Sequence, residues 1–221
     1  MTDFAAARRH MVDGQVRTAD VTDHRIISAM LEVPRERFLA DEKIALAYLD
    51  LDLPLGEGGR APRRLLKPMV LAKLIQLAAI GATDRVLDVG CGTGYAAAVL
   101  SRLAAQVVAL EEDTGLARRA NAALAATDAA NVKVVSGPLS DGWSADGPYD
   151  AILLEGATEI VPEPLLRQLR NGGRLACVVG AGPGGKATLY RAIDGEFSGR
   201  PAFEAAAALL PGFAKQPKFV F

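Results

Sequence analysis

The chain has 221 residues, half of them apolar and 23% charged, with a formal net charge of −1. That is one generous globular domain, or a domain with an added subdomain, and it has core enough to need no disulfide staples. The charge balance excludes a global pull toward nucleic acid or an anionic membrane. Two well-separated cysteines, Cys91 and Cys177, make neither a disulfide framework nor a metal-ligand set. No signal-like apolar core follows Met1, and no run approaches the ~18 apolar residues of a membrane span. Reduced thiols, a cytoplasmic location and no bound metal are therefore expected.

Residues 3–50 read as helical. Ile26, Ile27, Met30 and Leu31 recur at helical spacing behind Thr22 or Asp23 as N-cap, and Pro34 closes that helix. Residues 54–67 are rich in Gly and Pro and read as a loop. Pro68 suits the first turn of a helix that runs through Val70, Leu74 and Ile75 to near Ile80, closed by Gly81. A βα alternation then begins. Strands are expected at 85–89, 106–110, 132–135, 149–154 and 174–179. Helices are expected at 95–103, 114–126 and 163–170, the last stopped by Asn171, Gly172 and Gly173. Such alternation predicts a mainly parallel sheet covered on both faces. After Gly180 the pattern changes. Residues 188–193 and 203–209 read as strands, and the link 194–199 is too short for a crossover helix, so the pair should be an antiparallel hairpin. Residues 219–221 add a terminal strand or lie over the core. The expected architecture is α/β: a doubly wound, mostly parallel seven-stranded sheet over residues 68–221, preceded by an N-terminal helical extension and loop over residues 1–67.

The segment VLDVGCGTGY at residues 86–95 is strand, glycine loop, helix. Glycines admit a ligand close to the backbone, and the helix N-terminus offers free N–H groups. The spacing is G-x-G-x-G, whereas the dinucleotide fingerprint is G-x-G-x-x-G, and the position it requires to be glycine is Tyr95. S-adenosylmethionine, which has a ribose, an adenine and an amino acid tail but no phosphate, fits this loop better. Gly90, Cys91, Gly92, Thr93, Gly94 and Tyr95 are its candidate contacts, Cys91 through its backbone N–H. The next strand ends at Glu111, placed to accept both ribose hydroxyl hydrogen bonds; Glu112 is the alternative, and a solvated carboxylate at a strand end is the plainer one. Cys177 reads as a core residue, Trp143 as packing at the cofactor rim, and His10 and His24 lie outside the sheet region.

Several motifs resemble the protein-L-isoaspartate O-methyltransferase family, and the resemblance covers nearly the whole chain. AMLEVPRERF at 29–38, AYLD at 47–50, LPLG at 53–56, KPMV at 67–70, the loop at 86–95, NGGRL at 171–175 and Val179 with Gly180 all carry it. VPRE is the more diagnostic, since generic methyltransferases share only the glycine loop. The resemblance implies methylation of the α-carboxylate of L-isoaspartyl residues, which leads through a succinimide back to aspartate. Partners are then damaged proteins or peptides, not nucleic acid or membrane; nothing in the sequence speaks to oligomeric state. Leu139 follows the segment that the resemblance places near the adenine.

Three positions depart from the family pattern. Its active-site serine corresponds to Leu66, in a longer loop. An aspartate near the adenine is replaced by Pro138. A small or hydroxylated residue after the fourth strand of the sheet is Glu155. A carboxylate acceptor is already ionised at neutral pH and needs no general base. The loop cations Arg60, Arg63, Arg64 and Lys67, beside Leu66, either grip that carboxylate or form a solvated basic loop. The other readings are a methyltransferase of the same fold with a different acceptor and a cofactor-binding protein without catalysis; a nicotinamide dehydrogenase fits the loop spacing least.

Overall fold

A computed structural model describes residues 3–56 and 63–216. Part of the loop expected at 54–67, and the terminal segment 219–221, lie outside the described residues.

Helix α1 (Phe4–Met11) begins where the Asp3 carboxylate accepts the Ala6 N–H, and passes into a π turn at Val12–Val16. Helix α2 (His24–Glu32) is capped by Asp23, not Thr22, through the Arg25 N–H at 2.9 Å. Val33, extended ahead of Pro34, ends it. Beyond that point the helical expectation fails. Residues 35–46 form 3₁₀ turns, because this stretch turns inward to bury Arg35 and Phe38 and presents no continuous apolar stripe. Strands β1 (Leu53–Pro54) and β2 (Arg64–Leu65) pair antiparallel within what the sequence marks as loop. Helix α3 (Pro68–Ala78) has Pro at its first turn as expected, but closes at left-handed Ala79, φ 48°, rather than at Gly81. The Arg174 guanidinium supplies the cap by donating to the Ala78 and Ala79 carbonyls.

The main sheet takes β3 (Arg85–Val89), β4 (Gln106–Glu111), β5 (Val132–Ser136), β6 (Tyr149–Thr158), β7 (Leu169–Val179), β8 (Lys186–Ile193) and β9 (Glu196–Glu204) in the order β5-β4-β3-β6-β7-β8-β9. The strands from β5 to β7 run parallel; β8 is reversed and pairs antiparallel with both neighbours. Seven strands, mostly parallel, are what the alternation predicts. Helices α4 (Tyr95–Leu100) and α5 (Thr114–Ala125) share one core with α3 and the N-terminal extension, through Tyr95, Leu100, Leu116, Leu124, Leu74 and Met30. The other face is covered differently from expectation. Its only α-helix among the described residues is α6 (Glu163–Leu166), four residues long, and the rest of the cover is Leu139, Leu210 and Phe213. The expected helix at 163–170 is short because Leu169 already enters β7, and Asn171, Gly172 and Gly173 lie within that irregular strand.

The hairpin is present, with a tighter turn than expected. Asp194 and Gly195 both have positive φ, 51° and 85°, which is the twist a two-residue turn needs. Strand β9 therefore starts at Glu196, not at residue 203. It is an edge strand exposed along nearly its whole length, so no alternation of burial marks it in the sequence. The chain then returns across the end of β6, where the Ala157 N–H donates to Ala208 at 2.7 Å and the Leu210 N–H to Ala157 at 2.9 Å. This return lays Leu210 against Gly156 and Gly90.

Candidate functional site

Strands β3 and β6 are neighbours whose chains leave the sheet in opposite directions, the crevice where open α/β sheets bind ligands. The glycine loop leaves β3 there. Gly90, Gly92 and Gly94 have φ of 79°, 56° and 92°, a region that side chains disfavour. The Gly90 and Cys91 N–H groups both donate to the Leu110 carbonyl, at 2.8 and 3.1 Å. The Cys91 N–H, which the sequence offers as a ligand contact, is thus bonded to β4. Burial, and then the charge of Asp88, push the Cys91 thiol well above its ordinary range, so it stays protonated and is no nucleophile. Burial raises Cys177 as well, to about 12.

Glu111 ends β4 fully buried. Its carboxylate accepts the N–H groups of Gly92 at 2.8 Å, Glu112 at 3.1 Å and Asp113 at 3.2 Å. Glu112, the other acidic candidate, is exposed. Arg63 lies against the same carboxylate, with Nε 3.3 Å from Oε1 and Nη2 3.0 Å from Oε2. Thr93 turns away from the crevice, and its hydroxyl donates to the Phe38 carbonyl at 2.6 Å. Tyr95 is buried between Phe38, whose ring meets it edge-on at 5.6 Å, and Arg35, 4.7 Å above its ring.

Two buried carboxyls complete the site, and the sequence reading gave neither of them a role. A bulge in β6 sets residues 154–156 against a single register step of β7 and aims Glu155 inward beside Asp88 of β3. Apart from the Glu155 carboxyl, no side-chain or backbone donor among the described residues reaches either Asp88 oxygen. Two carboxylates in contact repel, so the pair holds a proton. Glu155 is raised well above its usual range by burial first and by the Asp88 charge second. Asp88 is raised as well, chiefly by burial. The signal that would have found this pair is an acidic residue inside each of two adjacent buried apolar strands.

These residues fit S-adenosylmethionine. Arg63 Nη2 and Leu55 Cδ1 lie where a Cβ on Gly90 and on Gly92 would stand, so both glycines admit close approach to bare backbone. Glu111 presents a buried carboxylate at the strand tip beside the loop, and Asp88 has no partner but Glu155 among the described residues.

Residues 6–203 match the family Protein-L-isoaspartate(D-aspartate) O-methyltransferase. Among relatives, Protein-L-isoaspartate O-methyltransferase 1 of Rhodopseudomonas palustris (strain HaA2) is 42% identical over 180 residues, 81% of this chain and 72% of that protein. Protein-L-isoaspartate O-methyltransferase of Methylorubrum populi is 42% identical over 191 residues, 86% of each chain. The chain belongs to this family. A solved protein-L-isoaspartate O-methyltransferase superposes with a TM-score of 0.82 at 27% identity, covering 93% of this chain and 66% of that one. A Plasmodium falciparum beta-aspartate methyltransferase in complex with S-adenosyl-L-homocysteine superposes with a TM-score of 0.76 at 16% identity, a likeness of fold.

The family motif VPRE is structural in this protein. Arg35, fully buried, donates to the Ala47 carbonyl at 2.8 Å and the Leu66 carbonyl at 2.7 Å. Glu36 accepts from the Tyr48 hydroxyl and from Arg8. Leu66, at the family serine position, points into the core, 1% exposed. Arg64 donates to the Asp52 carbonyl at 3.2 Å, and the Lys67 N–H to the Asp52 carboxylate at 2.8 Å. Leu139 is fully buried in the second core, and Pro138 is exposed beside it.

The Asp88–Glu155 pair makes a stability prediction. Both folded pKa values lie above those of an unfolded carboxyl, so the folded chain holds a proton that the unfolded chain releases. The pair's contribution is fully present below about pH 4, the ordinary carboxyl range, and is lost as pH rises toward the folded values. Glu155→Gln removes the titration while keeping a donor for Asp88. Its melting temperature relative to the parent is expected to rise steadily between pH 5 and pH 8 in calorimetry. Parallel curves for the two proteins would contradict the shared proton.

Proposed function

We propose that this protein transfers the methyl group of S-adenosylmethionine to the carboxylate of L-isoaspartyl residues in damaged proteins and peptides. When bound, the cofactor supplies an electrophilic methyl group on a sulfonium. The chain's own residues bind, orient and exclude water. Glu111, fixed by three backbone N–H groups, accepts the ribose hydroxyls. The glycine loop, held to β4 through Leu110, receives the rest of the cofactor against bare backbone. Tyr95 and the Arg35–Phe38 turn brace the loop from the extension side. Leu55 and Leu210, both buried, close over it and keep water out.

The acceptor carboxylate needs no proton removed, so the site needs placement rather than a base. No histidine is near: His10 and His24 are exposed in the N-terminal extension. The observation that carries the reading is the buried, backbone-clamped Glu111 at the tip of the strand beside the glycine loop, in a chain that matches the family over residues 6–203. Two buried, unpaired thiols agree with a reducing, cytoplasmic setting. Among the described residues no helix is long and apolar enough to cross a membrane.

The test is transfer of label from S-adenosylmethionine to an isoaspartyl peptide, with the matching aspartyl peptide as control. Label in the isoaspartyl peptide alone, held as a methyl ester and released by mild base as methanol, is the expected result. Equal labelling of both, or none, would overturn the proposal.

A further inference from the structure

The proposed function leaves Arg63 without a task. It comes from the segment flanking β2, yet its side chain is 9% exposed. Its Nη2 donates to the Gly90 carbonyl as well as to Glu111, in the space that glycine keeps clear of side chains. The Glu111 carboxylate has about four acceptor positions. Arg63 Nε, Arg63 Nη2 and the N–H groups of Gly92, Glu112 and Asp113 already converge on it. With Arg63 in place, two ribose hydroxyls would raise the donors on that carboxylate from five to seven, whereas in place of Arg63 they restore five. The three backbone donors are fixed by the fold, so Arg63 is the donor that can leave.

We infer that Arg63 stands in for the cofactor's ribose on Glu111, and that cofactor binding hands its guanidinium to the carboxylate of the isoaspartyl substrate. This rests on the reading of the site as a carboxyl methyltransferase. The backbone of Arg63 is anchored, its carbonyl accepting the Leu55 N–H at 2.9 Å, so the exchange is a side-chain movement. A guanidinium displaced from its only ion-pair partner in the described residues is a free planar cation beside the crevice, matched to a carboxylate fork. The second half of the cycle follows from charge. Attack of a carboxylate oxygen on the sulfonium methyl forms the C–O bond, breaks the C–S bond and leaves a neutral ester and a neutral thioether. The ester has lost the charge that held Arg63, which returns to Glu111 as the products leave. The two ligands then bind in order, cofactor first, and each raises the other's affinity by the same factor.

Calorimetric titration of S-adenosylhomocysteine and of an isoaspartyl peptide into the parent, Arg63→Ala and Arg63→Gln tests this. The parent is expected to bind the peptide at least tenfold better once saturated with S-adenosylhomocysteine. The variants are expected to bind S-adenosylhomocysteine about fivefold or more tighter, because Glu111 is freed. They should bind the peptide about tenfold or more weaker, with the loss falling on KM more than on kcat. A residue that merely propped Glu111 would weaken both ligands together, so equal or weaker S-adenosylhomocysteine binding by the variants overturns the exchange. If that result accompanies normal labelling of the isoaspartyl peptide by the parent, the methyltransferase reading stands alone. If the parent labels no isoaspartyl peptide, that reading falls, and the substrate half of the exchange falls with it.

Discussion

Glu111→Gln is expected to weaken S-adenosylhomocysteine binding roughly 100-fold. The carboxylate is the only charged acceptor at the tip of β4 that is buried, and its backbone donors hold it in place before the ligand arrives. A hydrogen bond to a charged group contributes about 1.5–3 kcal/mol, and the ribose offers two hydroxyls. Gln keeps one acceptor oxygen but turns an amide toward the other hydroxyl. A loss of about 3 kcal/mol is therefore reasonable, and 1.4 kcal/mol is about tenfold in affinity. Release of Arg63 from a neutral partner offsets part of that loss, so the Glu111→Gln and Arg63→Ala effects should not add. Titration calorimetry on protein of verified secondary structure measures it. A change below about threefold would mean that the ribose is held elsewhere.

Arg35→Ala is expected to destabilise the fold by about 3 kcal/mol, read as a shift in the urea midpoint. The guanidinium is buried, and burial lowers its pKa, so its charge is a cost. Against that cost stand two hydrogen bonds to carbonyls on separate turns of the extension, Ala47 and Leu66, and the contact over the Tyr95 ring. Truncation leaves both carbonyls buried without a donor, about 1–3 kcal/mol each, and opens a cavity where the side chain lay. Relief of the buried charge offsets part of the sum. Arg35→Met, which refills much of the volume, should recover about 1 kcal/mol or more of the loss. Because Arg35 fixes the turn before α3 and braces Tyr95 at the start of α4, activity in the surviving folded fraction should fall as well. Stability equal to the parent would show that the orphaned carbonyls find water.

The glycine loop, Glu111 and the βα alternation are local features, and they were legible for that reason. A strand that is buried on both faces must be apolar, a loop that approaches a ligand must be glycine, and the acidic tip follows one helix and one strand later. The reversed hairpin was also legible in outline, through the shortness of its link. Its register was not, since β9 is an exposed edge strand and carries no burial pattern. The 3₁₀ turns at 35–46 were misread as helix because helical propensity is weaker than the gain from burying Phe38 and hydrogen-bonding Arg35.

The sequence by itself determined a seven-stranded, mostly parallel sheet, a glycine loop made for S-adenosylmethionine, and, through VPRE and its companions, the family. Only the tertiary structure decided what the charged residues do. It placed Arg63 on Glu111, buried Leu66 away from the crevice, aimed Glu155 at Asp88 through a bulge, and gave VPRE its part as a brace between the extension and the loop. The physical reason is range. A strand or a glycine loop is written in residues a few positions apart, whereas Arg63 and Glu111 are 48 positions apart and Asp88 and Glu155 lie on different strands. Their partnership depends on which strands are neighbours and on how far each side chain is removed from water, and neither is present in the chain until it folds.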